Sequence, residues 1–352
     1  MKHAEFRIGT RAIGCGHPPF VIAEMSGNHN GSLDRALAIV AAAAKGGAHA
    51  LKLQTYTADT MTLDLAEGEF FIADPNSQWK GQSLYALYQK AHTPWGWHEA
   101  IFRRARELGL IAFSTPFDAT AVDLLESLGA PAYKVASFEN TDLALIRRVA
   151  ATGKPLIIST GMATLAEIGE AVEAARGAGC RDLTLLKCTS SYPASPASSN
   201  LLTIPLLREL FGCEVGLSDH TMGIGAAVAS VALGATVIEK HVTLDRSEGG
   251  VDAAFSLEPA ELRQLVAETE TAWRALGGAH FGMTEEEKGS LVFRRSLYIC
   301  EDLRAGDVLT PQNLRAIRPG HGLPPKFAGE LMGKRVNRPV KRGTPARWDL
   351  VG

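Results

Sequence analysis

The chain has 352 residues, of which 46% are hydrophobic, so it is long enough for one large domain and a small one. Its 36 basic and 38 acidic residues nearly balance, and no basic stretch with interleaved aromatic residues occurs, which argues against a nucleic-acid-binding protein. The apolar stretches are too short to span a bilayer and the N-terminus has no apolar signal region, so we expect a cytoplasmic protein without membrane association. Five widely spaced cysteines without a C-x-x-C pair indicate reduced thiols rather than disulfides or a zinc site.

Eight short apolar runs alternate with amphipathic segments, each in the order strand then helix. Eight such units over about 250 residues are typical of a closed (β/α)8, or TIM, barrel. The predicted strands are Phe20–Met25, Ala50–Gln54, Ile111–Ser114, Ala132–Ala136, Pro155–Ser159, Leu183–Cys188, Glu214–Leu217 and Thr236–Glu239. The predicted helices are Leu33–Lys45, Trp97–Leu108, Ala119–Leu128, Asp142–Ala151, Leu165–Ala178, Ile204–Phe211, Gly225–Leu233 and Pro259–Leu276. The runs are mostly apolar throughout, as expected of parallel strands buried on both faces.

Two regions depart from this pattern. Thr55–Pro94 is a long insertion after the second strand, on the face where barrel active sites form, and it predicts a substrate-specificity lid. After residue 278 the texture changes to a polar stretch and then to short strands with tight turns. We therefore predict a barrel over residues 1–278, a linker over 279–293 and a small C-terminal domain over 294–352.

Polar residues cluster where the predicted strands end, which is where this fold places its catalytic groups. These strand-end residues are Glu24, Lys52, Gln54, Ser114, Thr115, Lys134, Ser137, Glu139, Ser159, Thr160, Lys187, Thr189, Ser190, Tyr192, Ser218, Asp219, His220, Glu239, Lys240, His241 and, shortly after, Asp252. Charged or hydroxyl groups at every strand end indicate a polyanionic ligand.

Lys52 and Lys134 come from the second and fourth strands. Alternate strands of a barrel point side chains into the same layer, so both ammonium groups could meet one phosphate or carboxylate. A rival interpretation makes Lys134 a Schiff-base nucleophile whose pKa the second lysine would lower.

His220 and His241 end the neighbouring seventh and eighth strands, an arrangement that suits a divalent transition metal such as Mn²⁺. Glu24 and Glu139 are candidate acid or base groups. Either carboxylate could instead form a structural ion pair with Lys52 or Lys134, and the sequence leaves this open.

The segments IAEMSGNHNGS, ALKLQTYTADT, FSTPFD, AYKVASFEN, STGMAT, GLSDHTMG and VIEKHVTL resemble the sialic acid synthase family, and the C-terminal segment resembles the family's SAF, or antifreeze-like, domain. Within the family, QTYTADTMTLD and SFENTDLALI are most similar to the pseudaminic acid branch. The resemblance implies that phosphoenolpyruvate condenses with 2,4-diacetamido-2,4,6-trideoxy-β-L-altropyranose and water, giving pseudaminic acid and phosphate. The N-acetylneuraminate and legionaminate branches, which use the same chemistry, are the alternatives.

The resemblance also implies roles for individual residues. It assigns phosphoenolpyruvate binding to Lys52, Thr115, Lys134, Ser137, Ser190, Tyr192 and Ser218, and sugar binding to Gln54, Asp252 and Arg318. It assigns the divalent metal, Mn²⁺ or else Mg²⁺ or Co²⁺, to His220 and His241, and catalysis to these histidines with Glu24 and Glu139. Arg318 would reach the active site of the partner subunit in a domain-swapped homodimer. Ser190 stands where the N-acetylneuraminate branch tends to carry asparagine.

Two further functions are weighed against this one. A metal-independent aldolase acting through Lys134 would leave His220 and His241 unexplained. A non-enzymatic carbohydrate-binding or ice-binding protein is suggested by the SAF-like segment, but such a protein would not need the strand-end ring of charges.

Overall fold

The structure is a computed structural model that describes residues 5–75, 77 and 79–352. The chain divides into two compact units, one that ends at Gly277 and one that spans Gly278–Gly352. Eight strands of the first unit pair in parallel into a closed barrel, so the predicted (β/α)8 fold is confirmed. The finer division, with a separate linker over 279–293, stays a prediction.

The barrel strands follow the predicted order, and their ends differ from the prediction by at most two residues. They are Phe20–Glu24, Ala50–Thr55, Ile111–Pro116, Tyr133–Val135, Leu156–Ser159, Leu183–Cys188, Glu214–Ser218 and Val237–His241. The eighth strand closes the barrel on the first, with His241 opposite Glu24.

The helices that alternate with these strands also match the prediction. They are Leu33–Lys45, His98–Glu107, Ala119–Ser127, Leu143–Ala150, Leu165–Gly177, Thr203–Phe211, Gly225–Ala232 and Pro259–Leu276. Local capping explains where they begin: Ser32 accepts a hydrogen bond from the Arg35 amide, and Thr164 forms a capping box with Glu167. No helix in the described ranges combines the length and the hydropathy needed to cross a membrane.

A short N-terminal hairpin, Phe6–Ile8 paired with Arg11–Ile13, was not predicted. Its apolar side chains pack in one buried cluster with Phe20, Ala50 and Ile111, the first residues of three barrel strands. The hairpin therefore fills the end of the barrel where the strands begin. The polar residues lie at the opposite end, where the strands finish.

The insertion after the second strand contains the helices Ala58–Met61 and Leu84–Ala91 and the 3-10 turn Gly68–Phe70, and the 3-10 turn Trp95–Trp97 follows it directly. Two tryptophan side chains hold the insertion by donating to backbone carbonyls, one in the loop after the eighth strand and one at the start of the insertion itself. Trp79 Nε1 donates to the Val251 carbonyl at 3.0 Å, and Trp95 Nε1 donates to the Tyr56 carbonyl at 3.3 Å.

The second unit contains the antiparallel strands Ser296–Ile299 and Leu314–Ile317, the 3-10 turns Lys288–Phe293, Pro325–Phe327 and Trp348–Leu350, and the helix Ala328–Leu331. It has its own apolar core, which includes Leu297, Leu314, Leu331, Val336 and Leu350.

Candidate active site

The ends of the barrel strands open into a cavity of about 430 Å³. The predicted site residues that line it are Glu24, Lys52, Gln54, Lys134, Ser137, Glu139, Tyr192, Ser218, His220, His241 and Asp252. Thr115 lies directly behind the lining, where its Oγ1 accepts a hydrogen bond from Lys52. Ser190 does not line the cavity, and its Oγ lies beside the turn at Gly161. The structure thus brings the other predicted residues of the barrel to one place. Arg318 belongs to the second unit, and its role toward a partner subunit stays a prediction.

Lys52 lies within a buried carboxylate cluster. Its Nζ is 2.7 Å from Glu24 Oε2 and 3.6 Å from Glu239 Oε1, and it donates a 3.1 Å hydrogen bond to Thr115 Oγ1. Burial opposes the charged ammonium, but the two carboxylates outweigh burial and raise the pKa of Lys52. Of the two roles left open for Glu24, the ion pair with Lys52 is therefore observed. The cluster keeps Lys52 charged, as anion binding requires.

The two carboxylates of this cluster differ in their environments. Burial raises the pKa of Glu24, although the charge of Lys52 partly opposes the rise. Burial would also raise the pKa of Glu239, but the charges of Lys134 and Lys52 outweigh burial and lower the pKa of this group. Gln54 Nε2 donates to Glu24 Oε1 at 2.9 Å, which fixes the orientation of that carboxyl group.

Lys134 is buried and differs from Lys52 in having no ion pair with any residue that the structure describes. Its Nζ donates to the Val135 carbonyl at 3.1 Å. Burial lowers the pKa of Lys134, and the charge of Glu239 only partly compensates. A buried cation whose charge is only partly compensated is costly, so this position favours an anionic ligand.

Hydroxyl groups surround the turn after the fifth strand. The Gly161 amide donates to Ser137 Oγ at 3.1 Å. A Cβ atom on Gly161 would lie 2.4 Å from Ser190 Oγ and 2.7 Å from Ser137 Oγ, so a side chain there would occupy the space between the two hydroxyls. Within the described residues, Ser190 Oγ and Ser159 Oγ are buried without a hydrogen-bond partner. These free groups, together with Lys134, suit the oxygens of a phosphate or carboxylate.

The two histidines meet at the ends of the seventh and eighth strands, with ring centroids 5.3 Å apart. Burial opposes protonation of His220, but its contacts with Cys188 and the Thr189 carbonyl, which lies 2.9 Å from Nδ1, raise its pKa. Burial, followed by the charge of His220, lowers the pKa of His241 far below its ordinary value, so that imidazole is neutral. Its buried Nδ1 has no hydrogen-bond partner in the described ranges and lies 3.8 Å from Asp252 Oδ2.

A divalent metal ion binds imidazole through an unprotonated ring nitrogen. His241 is neutral, and the Nδ1 contact of His220 leaves its Nε2 available once the ion displaces a proton there. Across residues 5–75, 77 and 79–352, however, no group of three or more His, Cys, Asp or Glu side chains is arranged to hold a metal. The two histidines fit a divalent ion only if its remaining ligands are water or substrate oxygens. Such an ion would have the open positions that a catalytic metal uses.

Glu139 borders the same cavity. Burial raises its pKa to about 7, although Lys134 opposes the rise. Its Oε2 is buried and has no hydrogen-bond partner among the described residues. A carboxyl group that titrates near neutral pH can both accept and release a proton during a reaction, which suits an acid or base role.

Some polar strand-end residues do not belong to this site. The ammonium group of Lys240 lies 2.9 Å from Asp219 Oδ2, and this pair is buried and absent from the cavity lining. Lys187 also lies outside the cavity, and its Nζ donates to the Cys188 carbonyl at 2.7 Å. Successive side chains of a strand point to opposite faces, so only every second strand-end residue can reach the barrel axis.

Two functional candidates had no role assigned from the sequence. Glu239 was named as a strand-end residue, and its contacts with Lys52 and with Ser218 Oγ, at 3.4 Å, place it in the centre of the cluster. The strand alternation with His241 could have indicated this. Cys188 lines the cavity, and its Sγ lies 3.9 Å from Nδ1 of His220. No sequence pattern marks this thiol, because an apolar strand residue of its size is usually core.

Comparisons with known proteins agree with this geometry. The NeuB family matches residues 39–281 and the SAF domain matches residues 294–352. A pseudaminic acid synthase from Campylobacter jejuni is 43% identical over 324 residues, 92% of this chain and 94% of that protein. An N,N'-diacetyllegionaminic acid synthase from the same organism is 36% identical over 324 residues, 91% of this chain and 96% of that protein. A crystal structure of an N-acetylneuraminic acid synthetase from Leptospira borgpetersenii in complex with citrate is similar at a TM-score of 0.73 and 31% identity, covering 82% of this chain and 95% of that one. These findings confirm the predicted resemblance and the predicted SAF domain.

Proposed function

The chain belongs to the NeuB family, and we propose that it condenses phosphoenolpyruvate with 2,4-diacetamido-2,4,6-trideoxy-β-L-altropyranose and water to give pseudaminic acid and phosphate. The observation that carries this proposal is the cavity in which Lys134, a buried cation without an ion-pair partner among the described residues, lies with Lys52, free hydroxyls and two histidines. The identity of 43% to a pseudaminic acid synthase supports the choice of sugar.

Phosphoenolpyruvate presents a phosphate and a carboxylate, and the cavity offers two cations for them. Lys134 and the hydroxyls of Ser137 and Ser190 bind one of these anionic groups, and Lys52 binds the other. Thr115 and Glu24 hold the Lys52 ammonium in place through the contacts described above. Tyr192 and Ser218 complete the pocket on the side of the sixth and seventh strands.

In the reaction, C3 of phosphoenolpyruvate forms a bond with the C1 aldehyde carbon of the open-chain sugar. A water oxygen adds at C2 and gives up a proton, and the aldehyde oxygen takes up a proton to become a hydroxyl group. The C2 carbon then bears both a hydroxyl group and the phosphate ester, and it collapses to a carbonyl: the bond between C2 and the bridging oxygen breaks, and phosphate leaves with the hydroxyl proton. Glu139, with its pKa near neutrality, takes the proton that the water releases. Gln54 and Asp252 orient the sugar, and Arg318 of a partner subunit contributes to the same site in a domain-swapped homodimer.

His220 and His241 would hold a divalent ion, Mn²⁺ or else Mg²⁺ or Co²⁺, which as a Lewis acid supplies polarisation of the aldehyde. The protein itself orients both imidazoles and keeps His241 neutral. The Thr189 carbonyl fixes the orientation of the His220 ring, and burial keeps His241 unprotonated.

One observation favours a second candidate. Lys134 is buried with a lowered pKa, which is also the environment of a Schiff-base lysine. That mechanism would need neither metal nor phosphate. Sodium borohydride with pyruvate would then label Lys134, and activity would survive a chelator.

Phosphate release tests the proposal. It should require phosphoenolpyruvate and the sugar together, disappear with a chelator and return with Mn²⁺. Lys134→Ala should abolish it. Lys187→Ala is the matched control, because Lys187 is also a strand-end lysine but lies outside the cavity.

The choice of sugar is tested by offering the altro-configured diacetamido sugar, its manno-configured isomer and N-acetylmannosamine, with the product identified by mass. Preference for the manno isomer would assign the chain to the legionaminate branch instead. Phosphate release without any sugar, or full activity in the chelator, would contradict the proposed chemistry. The cytoplasmic location and the homodimer stay predictions.

A further inference from the structure

The cavity has two chemically different sides. The charged groups of the strand ends occupy one side. The other side is mostly apolar and comes from the insertion, where the aliphatic Met61, Ile72, Leu84 and Leu87 lie beside the aromatic Tyr56, Trp79 and Tyr88, and from Val251 in the loop after the eighth strand. Phosphoenolpyruvate matches the charged side, so the apolar side must face the other substrate.

The insertion helix Leu84–Ala91 presents its apolar stripe to the cavity. Leu84, Leu87, Tyr88 and Ala91 follow the helical spacing of one face, and all four line the cavity. Such a stripe ordinarily packs against a hydrophobic core. Here part of it borders open space of ligand size, so an apolar group of the ligand is needed to cover it.

The apolar side is held in place before any ligand binds. Ser83 caps the helix by accepting a 3.1 Å hydrogen bond from the Ala86 amide. The Ile72 amide donates to the Gln82 carbonyl at 3.0 Å, and the Gly81 amide donates back to the Ile72 carbonyl at 2.9 Å. These bonds join Ile72 to the start of the helix. The backbone amide and carbonyl groups that make them are therefore not available to bind a ligand.

We propose that this aliphatic wall, formed by Met61, Ile72, Leu84, Leu87 and Val251, selects sugars that carry a methyl group at C6 over sugars that carry a hydroxymethyl group there. The inference rests on the proposed function and adds the residues that recognise the 6-deoxy position. A methyl group at C6 can pack against the wall without giving up any hydrogen bond. A hydroxyl in the same place gives up its hydrogen bonds to water and finds no partner on Ile72, Leu84 or Leu87.

The test uses two sugars that differ in one oxygen atom, N-acetyl-6-deoxymannosamine and N-acetylmannosamine. Each is measured as a substrate and as a competitive inhibitor of the diacetamido sugar, so that the preference is obtained even where turnover is slow. We expect a preference of about ten- to two-hundredfold for the 6-deoxy sugar, the range in which apolar pockets discriminate. Leu84→Asn should bring the preference toward one, because its amide can pair with the 6-hydroxyl, and should leave the KM for phosphoenolpyruvate unchanged.

Leu63→Asn is the matched control, since Leu63 belongs to the same insertion, is 62% exposed and does not line the cavity. Leu87→Ala provides a second variant of the wall, and thermal unfolding establishes that each variant is folded. Equal treatment of the two sugars by the wild type, or an unchanged preference in both folded wall variants, would overturn the inference while phosphate release with the diacetamido sugar still supports the proposed function. Absence of phosphate release with every sugar, despite a thermal shift with phosphoenolpyruvate, would overturn both.

Discussion

Replacing Lys240 or Asp219 tests how the two histidine-bearing strand ends are held together. The two side chains form a buried pair at 2.9 Å on the outer face of the barrel, 1% and 4% exposed. Lys240 Nζ also donates to the Thr221 carbonyl at 2.7 Å, and Asp219 Oδ1 accepts from the Thr221 amide at 2.9 Å. The pair thereby fixes the backbone on both sides of His220, next to His241.

Removing one partner leaves an uncompensated charge in a low-dielectric place, which costs about 3–5 kcal/mol of unfolding free energy. Lys240→Met strands the Asp219 carboxylate, and Asp219→Asn strands the ammonium group. The double variant Asp219→Asn, Lys240→Met contains neither charge, and the amide oxygen introduced at position 219 would still be able to accept from the Thr221 amide. We therefore expect the double variant to lose far less stability than the two single losses added together, with a coupling free energy of about 2–3 kcal/mol or more.

Urea unfolding of the wild type, the two single variants and the double variant measures this coupling free energy. Lys341→Met with Asp302→Asn is the control, because that pair has a similar separation of 2.8 Å but is exposed, and its removal should leave the unfolding midpoint unchanged. Mn²⁺ titration of the stable double variant adds a second measurement. Loss of the Lys240–Asp219 pair should weaken Mn²⁺ binding about 10- to 100-fold, because replacing residues that orient metal ligands typically lowers metal affinity by this factor. Strict additivity of the single losses would refute the reasoning about the buried pair.

Three further predictions concern the site. Glu139 has a pKa of about 7 in the folded protein, raised from 4.5, so its neutral form stabilises the fold at low pH, and this stability is lost as the pH rises through 7. In the wild type the free energy of unfolding should therefore fall by up to about 3 kcal/mol between pH 4.5 and 8, and Glu139→Gln should remove this fall. Gly161→Ala would place a methyl group 2.4 Å from Ser190 Oγ, and we expect the KM for phosphoenolpyruvate to rise about tenfold or more. Gly169→Ala is the control, because the space around Gly169 is open and the KM should not change. An unchanged KM in Gly161→Ala would exclude a role for the Ser137 and Ser190 hydroxyls in binding phosphoenolpyruvate. Mixing inactive Arg318→Ala with inactive Lys134→Ala should restore about a quarter of wild-type activity if Arg318 acts on the partner's site in a homodimer, because half of the dimers then hold one intact site; no recovery would place Arg318 outside such a site.

The barrel could be predicted because each of its elements has a strong local pattern. Helices such as Leu33–Lys45 and Pro259–Leu276 have both an amphipathic period and clear capping signals, and they were predicted to the residue. The hairpin Phe6–Ile8 with Arg11–Ile13 was missed because strands of three residues are too short to show a period. Long apolar strands mark the position of the site, since catalytic groups of this fold lie at their C-terminal ends.

The sequence could not separate inward from outward residues at those ends. A strand buried on both faces is apolar throughout, so hydrophobicity does not reveal which of Glu239 and Lys240 faces the barrel axis. The positions of His220, two residues after the seventh strand, and of His241, the last residue of the eighth, show which residues face inward only once the barrel is closed. The gap at Gly161 between Ser137 and Ser190 depends on three strands meeting, and no local pattern encodes it.

The way in which the insertion is attached has a consequence for how such enzymes diversify. Trp79 and Trp95 hold it by donating to the carbonyls of Val251 and Tyr56, and every amino acid supplies a backbone carbonyl. Mutations of Met61, Ile72, Leu84 or Leu87 therefore leave both hydrogen bonds possible, provided that Trp79, which also lines the cavity, is retained. If the insertion contacts the sugar as proposed, substitutions on this one segment can change the sugar preference while the residues at the strand ends stay the same.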